Sequence, residues 1–309
     1  MTRIRKLILP SLPALLVGAV LASPAGAQDR GRGDYRSWID TTFAFASGGL
    51  VDASQVAGDV EVTTWERSEV RVEAWAQHGT VQSQFSRDRV VLRVEGERDG
   101  NRNRRIGESG YRITVPRGTR VKVASVSGDV AVSGTGAEVE ASSVSGDVSV
   151  ADAGGITTVK SVSGDVEVSR VSGDLVAQSV SGDVEAESVQ GDVRASTVSG
   201  DLMLRGLRSR AVSAKSTSGD LDFQGPLDAG GRYEFRSHSG NVTVRVPDGT
   251  GAEVSFSSFS GGLESDFPVT IGGAERRRGG RDMDFRLGGG GARLALETFS
   301  GDARLLRTR

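Results

Sequence analysis

The sequence has no cysteine, only two histidines, and aromatic residues make up 5% of its 309 positions. Without Cys there are no disulfides, and zinc sites built from Cys and His lack their parts. His78 and His238 alone give little to a histidine-based nucleophile relay, and no serine stands in a Gly-x-Ser-x-Gly elbow. Scarce aromatics argue against one thick globular core. Long apolar runs are also missing: past residues 7–21, nothing approaches the roughly 20 residues of a spanning helix.

Residues 7–21 have a different meaning. Arg3, Arg5 and Lys6 precede them, Pro10 and Pro13 interrupt them, and Ala25-Gly26-Ala27 follows as a small-residue cleavage site. This pattern predicts a signal peptide over 1–27, export to the periplasm or cell surface, and no membrane span after cleavage. Residues 28–36 read as a flexible mature start. Cleavage would move the net charge from −2 to −5, which argues against nucleic acid as a partner.

What is abundant is glycine, 43 residues of it, arranged in a repeat. The phrase Ser-Val-Ser-Gly-Asp-Val recurs from Ser125, Ser143, Ser161 and Ser179, with shortened copies between and after. Its turn pairs are Gly128-Asp129, Gly146-Asp147, Gly164-Asp165, Gly173-Asp174, Gly182-Asp183, Gly191-Asp192, Gly200-Asp201 and Gly219-Asp220. The steps are 18, 18, 9, 9, 9, 9 and 19, so the unit is nine residues. With Gly as position 1, apolar residues fall at 3, 5 and 8, as in Val166, Val168 and Val171. Positions 3 and 5 share a strand face; the odd step to 8 demands a bend near 6 and 7. The glycine is expected to supply the backbone angles of a second bend. The pattern predicts an all-β, single-stranded β-solenoid (β-helix) with about two nine-residue units per coil, a three-unit coil being the alternative.

Residues 37–124 alternate apolar and polar, as in Val70-Arg71-Val72 and Tyr111-Arg112-Ile113, and read as a β-rich N-terminal cap before the regular repeats of 125–224. Residues 225–309 read as larger C-terminal rungs, in which Phe256, Phe259 and Phe267 would shield the open end. Residues 272–291, with Arg276-Arg277-Arg278 and four glycines from Gly288, read as a flexible loop.

These features together resemble the bacterial "putative adhesin" family of exported β-strand-repeat proteins, a domain of unknown function. The resemblance rests on Gly58-Asp59-Val60-Glu61-Val62 followed by Trp65 and Val70-Arg71-Val72, on Ile113-Thr114-Val115-Pro116-Arg117-Gly118-Thr119, on the Ser-Gly-Asp phrases, and on Val244-Arg245-Val246-Pro247. It covers about residues 37–306. It implies the fold, and it implies no catalytic or ligand residues.

The Asp of each unit is the first candidate for chemistry. Stacked carboxylates would suit Ca²⁺, but the Gly-Gly-x-Gly-x-Asp β-roll pattern is absent, and one Asp beside a turn Gly fits backbone capping. Trp65 and Trp75 suit either a sugar-stacking platform or a cap, and Arg276-Arg277-Arg278 either a phosphate contact or a solvated loop. No catalytic residue, metal or cofactor is expected. The expectation is a non-catalytic envelope or surface module for binding or adhesion, with an unidentified protein or glycan as partner. The alternatives are a periplasmic structural or regulatory module bound to a membrane protein, a calcium-dependent assembly, and a polysaccharide-active enzyme.

Overall fold

The computed structural model describes residues 35–98, 104–105, 107–268, 270–271 and 281–308. The expected signal peptide, all but two residues of the expected flexible start, and Arg276-Arg277-Arg278 lie outside them. Every regular element among the described residues is a strand.

Strand pairing repeats at one interval. Val130 lies beside Val148, Val148 beside Val166, and Val166 beside Val184. On the other side Val139 lies beside Thr157, Thr157 beside Leu175, and Leu175 beside Val193. Each regular coil therefore holds 18 residues, one nine-residue unit in each of two facing, mostly parallel sheets. Those sheets have 13 and 14 described strands. This is the two-unit β-solenoid. Valine suits it because its branched side chain packs in a stack on a pleated surface.

The two units of a coil turn their corners differently. In one, position 7 takes a left-handed conformation, at Gly134, Asp152, Arg170, Ser188 and Gly206, with φ between 54° and 78°. That inverts the alternation and brings position 8 inside, where Ala153, Val171, Val189 and Leu207 are buried. In the other unit no left-handed residue intervenes. Position 7 stays inside as Ser143, Ser161 or Ser179, and the position-8 valine turns out to solvent. A 3-5-8 pattern thus has two meanings, set by one backbone angle.

Towards the C-terminus the core swells: Phe223, Tyr233, Phe235 and Phe256 are fully buried, with Phe223 and Phe235 centroids 5.1 Å apart. Phe259, expected as a shield, instead points outward and is 59% exposed.

Both ends are interleaved. The last stretch of chain, Ala292–Ser300, lies between Arg232–Ser239 and Ala252–Ser260. Ala303–Arg307 likewise lies between Val242–Val246 and Leu263–Ser265. At the other end Leu50–Ser54 sits between Arg120–Ala124 and Arg89–Glu95, and Gly58–Trp65 between Val130–Ser133 and Ser109–Pro116. Antiparallel strands close the sheets beyond: Glu69–Ala76 on Ser109–Pro116, Ser37–Ala44 on Glu69–Ala76, and Arg281–Leu287 on Ala252–Ser260. Of the flexible loop expected over 272–291, residues 281–287 are instead this strand, and 272–280 lie outside the described residues. Phe285 and Leu287 alternate into the core, which is reason enough for residues 281–287 to be a strand.

Candidate functional site

The Gly-Asp pairs do not form one column. Those at 128, 146, 164, 182, 200 and 219 stack along one corner; those at 173 and 191 lie half a coil away, in the opposite sheet. Along the first corner each Asp carboxylate accepts the backbone N–H of the Asp one coil on: Asp129 from Asp147 (3.0 Å), Asp147 from Asp165 (2.9 Å), Asp165 from Asp183 (2.8 Å), Asp183 from Asp201 (2.7 Å) and Asp201 from Asp220 (2.8 Å). The ladder starts at Asp59 and runs on through Asn241 and Asp302. In the second column Asp174 accepts from Asp192 N–H (2.9 Å) and Asp192 from Ala211 N–H (3.2 Å). The buried serines complete the corner: Ser143 Oγ donates to Gly128 O at 2.9 Å, Ser161 to Gly146 O and Ser179 to Gly164 O at 3.0 Å.

The glycines have a different reason from the one expected. Gly128, Gly146, Gly164, Gly182 and Gly200 do not have positive φ. A Cβ on Gly164 would meet Gly146 O at 2.2 Å, and one on Gly182 would meet Gly164 O at 2.2 Å. Glycine is needed because successive coils approach through their backbones, not to make the bend. Among the described residues no three His, Asp or Glu converge as a metal-binding group.

Beside this ladder runs a line of exposed apolar side chains. Val56, Val126, Val144, Val162, Val180 and Val198 are each 42–46% exposed, one per coil. Thr217 and His238 continue the line, and Phe299 and Phe259 end it. The His238 and Phe299 rings stack at 4.6 Å, and Phe299 and Phe259 at 4.8 Å with 4° between planes. Ten positions at the ~4.8 Å strand spacing make a stripe of about 43 Å. The recurring valine was visible in the sequence; that every second one faces water was not.

A second feature lies on the outer face of the 13-stranded sheet near its N-terminal end. Antiparallel pairing sets Trp38 opposite Trp75, and Trp75 opposite Gly110. The indoles stack with centroids 6.0 Å apart, and Tyr35 lies 6.2 Å from Trp38. Trp75 lies over Gly110, where a Cβ would stand 2.4 Å from the indole. The next row across the same strands is Asp40, Glu73, Arg112 and Glu61. Arg71 reaches Glu73 at 2.6 Å and Asp40 at 3.3 Å, while Arg112 reaches Glu61 at 3.0 Å. The Arg71 and Arg112 guanidiniums are pushed further above their usual range, first by hydrogen bonds to Asp40 and Glu61 respectively. Of the two readings for Trp65 and Trp75, a shared platform is not made, because Trp75 pairs with Trp38. Trp65 instead donates its Nε1–H to Glu69 O at 2.6 Å, with Arg67 over its ring.

At the other end, an open cleft of about 820 Å³ lies on the outer face of the 14-stranded sheet, over Ala295 and Ser255. Its charges are largely cross-linked: Arg236 to Glu234 (2.6 Å) and Glu297 (2.8 Å), Arg286 to Glu253 (3.3 Å). The phenols of Tyr111 and Tyr233 are pushed up by burial, and each donates a backbone-directed hydrogen bond, to Ser54 O (3.1 Å) and Ser209 O (2.7 Å). Both are structural.

No curated protein matches the chain. Among solved structures it is similar to a "putative cell adhesion protein" from Clostridium sporogenes, at 9% identity over 88% of this chain and 100% of that one, with TM-score 0.24. It is also similar to a "putative adhesin" from Bacteroides fragilis (12% identity, 88% and 99% covered, TM-score 0.42). A third, from Parabacteroides merdae, has 9% identity, 89% and 97% covered, and TM-score 0.40. A family model described as Toastrack DUF4097 matches residues 50–303, and the chain belongs to that family.

Proposed function

We propose that the protein is an exported, non-catalytic module of the cell envelope that binds an extended partner, protein or glycan, along its solenoid surface. The observation that carries this is the line from Val56 to Phe259, in which eight of ten positions are exposed Val or Phe and two, Thr217 and His238, are polar. Exposed apolar surface of this extent marks interaction sites in soluble proteins. The polar residues Thr217 and His238 at two positions of the line are compatible with the fold, so packing alone does not demand valine or phenylalanine there. The carboxylates of the corner support the non-catalytic reading: they accept backbone N–H groups in a uniform series, whereas acid–base chemistry needs a local pair in distinct environments. Export is read from the N-terminal sequence.

The test binds purified protein to isolated envelopes. A variant with Val144, Val162, Val180 and Phe259 changed to Ser is expected to bind at least tenfold more weakly while unfolding at a similar temperature. Equal binding of the two would remove the stripe from the account. Protease treatment of intact cells, compared with opened envelopes, separates a surface location from a periplasmic one.

A further inference from the structure

We infer that the Trp38–Trp75 pair and the charged row beside it form a subsite for neutral polysaccharide. This rests on the binding-module reading above and places a ligand class at a surface separate from the apolar stripe. Trp38 is 41% exposed although it lies in a strand whose neighbours on the same face are polar. Its partner Trp75 is held flat because position 110 is Gly: any larger residue would lift the indole off the sheet. A fixed aromatic surface with little rotamer freedom to lose is what stacking on the C–H face of a sugar ring requires.

The adjoining row supplies the polar half. Asp40, Glu73, Arg71, Arg112 and Glu61 are already tied to one another, so carboxylate and guanidinium groups are held in place for paired hydroxyls. Three carboxylates against two guanidiniums, with Asp59 next to Gly110 in the aromatic row, repel a polyanion and admit an uncharged chain. Both rows run across successive strands on the outer face of the sheet, which suits a polymer rather than an enclosed small molecule.

The full chain is titrated with soluble β-glucan, xylan and galactomannan, and with polygalacturonate and polyproline, following intrinsic tryptophan fluorescence. Trp38 and Trp75 are two of only three tryptophans. At least one neutral polysaccharide is expected to give a saturable change. Trp38→Ala should weaken it tenfold or more, Trp38→Phe less, and Gly110→Ala should weaken it by displacing Trp75 without touching ligand. The melting temperature of Trp38→Ala should stay near that of the unaltered chain. The inference is overturned if no neutral polysaccharide binds, if polygalacturonate or polyproline binds better, or if Trp38→Ala binds as tightly as the unaltered chain. None of these outcomes touches the envelope-binding reading, which stands or falls with the Val and Phe variant of the stripe.

Discussion

At the residue scale, two classes of glycine-like position follow opposite rules. Gly164 has an ordinary φ and no room for a side chain, since its Cβ would meet the Gly146 carbonyl oxygen at 2.2 Å and the Asp147 carboxylate at 2.9 Å. The obstacle is backbone inside a continuous ladder and cannot swing aside. Gly164→Ala should therefore cost about 1–3 kcal/mol, in the range of overpacked sites. Ser188 is the converse: it has room, but φ is 58°. A left-handed residue with a Cβ costs about 1–2 kcal/mol, and the extra chain entropy of glycine gives back about 0.5–1 kcal/mol of that. Ser188→Gly should thus stabilise by about 0.5–1 kcal/mol, as Gly206 already does one coil on. Urea unfolding of the two variants checks both signs. Destabilisation by Ser188→Gly would mean that the corner is held by the Ser side chain rather than strained by it. Arg170 and Asp152, the other two non-glycine residues at this angle, hydrogen-bond at 2.7 and 2.9 Å, which holds the Asp152 carboxyl below its usual range. Both are more than half exposed, so the pair contributes little to stability.

At the element scale, the phrase Val-Pro-x-Gly-Thr acquires a mechanical meaning. It occurs at Val115–Thr119 and at Val246–Thr250, the two places where the chain passes over an interleaved coil and climbs two strand spacings instead of one. The two turns are built alike: Gly118 at φ 82° and Gly249 at 78°, with Thr119 and Thr250 hydroxyls donating to Pro116 O (2.8 Å) and Pro247 O (2.7 Å). They differ in burial, Thr119 being fully buried and Thr250 lying at the surface. Where water can replace the lost donor, the change is nearly neutral; where it cannot, the carbonyl is left short of a partner. Thr119→Val should cost about 1–2 kcal/mol and Thr250→Val less than about 0.5 kcal/mol, read from denaturant midpoints. The sequence displayed both phrases, and the nine-residue unit and 18-residue coil as well, because identical neighbours must present identical residues. It did not display which strands the phrases skip, because register between distant segments is set by the whole stack. For the same reason the sequence assigned Trp75 no partner, and only the antiparallel register places it on Trp38. The strand Arg281–Leu287 was legible in Met283, Phe285 and Leu287, but its flanking glycines masked the alternation.

At the scale of the whole molecule, a solenoid is a sum of coils and nearest-neighbour interfaces, so its weak points are its ends. Here Leu50–Ser54 with Gly58–Trp65 at one end, and Ala292–Ser300 with Ala303–Arg307 at the other, lie one coil in from the last parallel coil, which is tied down by covalent connections that reach past its neighbour. An end coil cannot fray without dislodging the coil inside it, which also keeps the open sheet edges from lengthening into sticky ones. Interior coils have no such constraint. Removing residues 161–178 joins Lys160 to Ser179, restores the repeated phrase across the junction, and brings Thr157 and Val193 into the register that Leu175 held. The shortened chain is expected to unfold cooperatively with a slightly smaller denaturant dependence, in proportion to the coil removed. Removing residues 292–309, the same number of residues, should behave differently. Ala252–Ser260 and Leu263–Ser265 would lose the strands on which they rest, while Arg232–Ser239 and Val242–Val246 would face a gap one coil wide. Limited proteolysis should then cut after residue 246 and leave a core ending near Pro247, whereas the 161–178 deletion should resist as the full chain does. Equal resistance of the two variants would show that the interleaved coil adds no more than any other rung, and the argument for locked ends would fail.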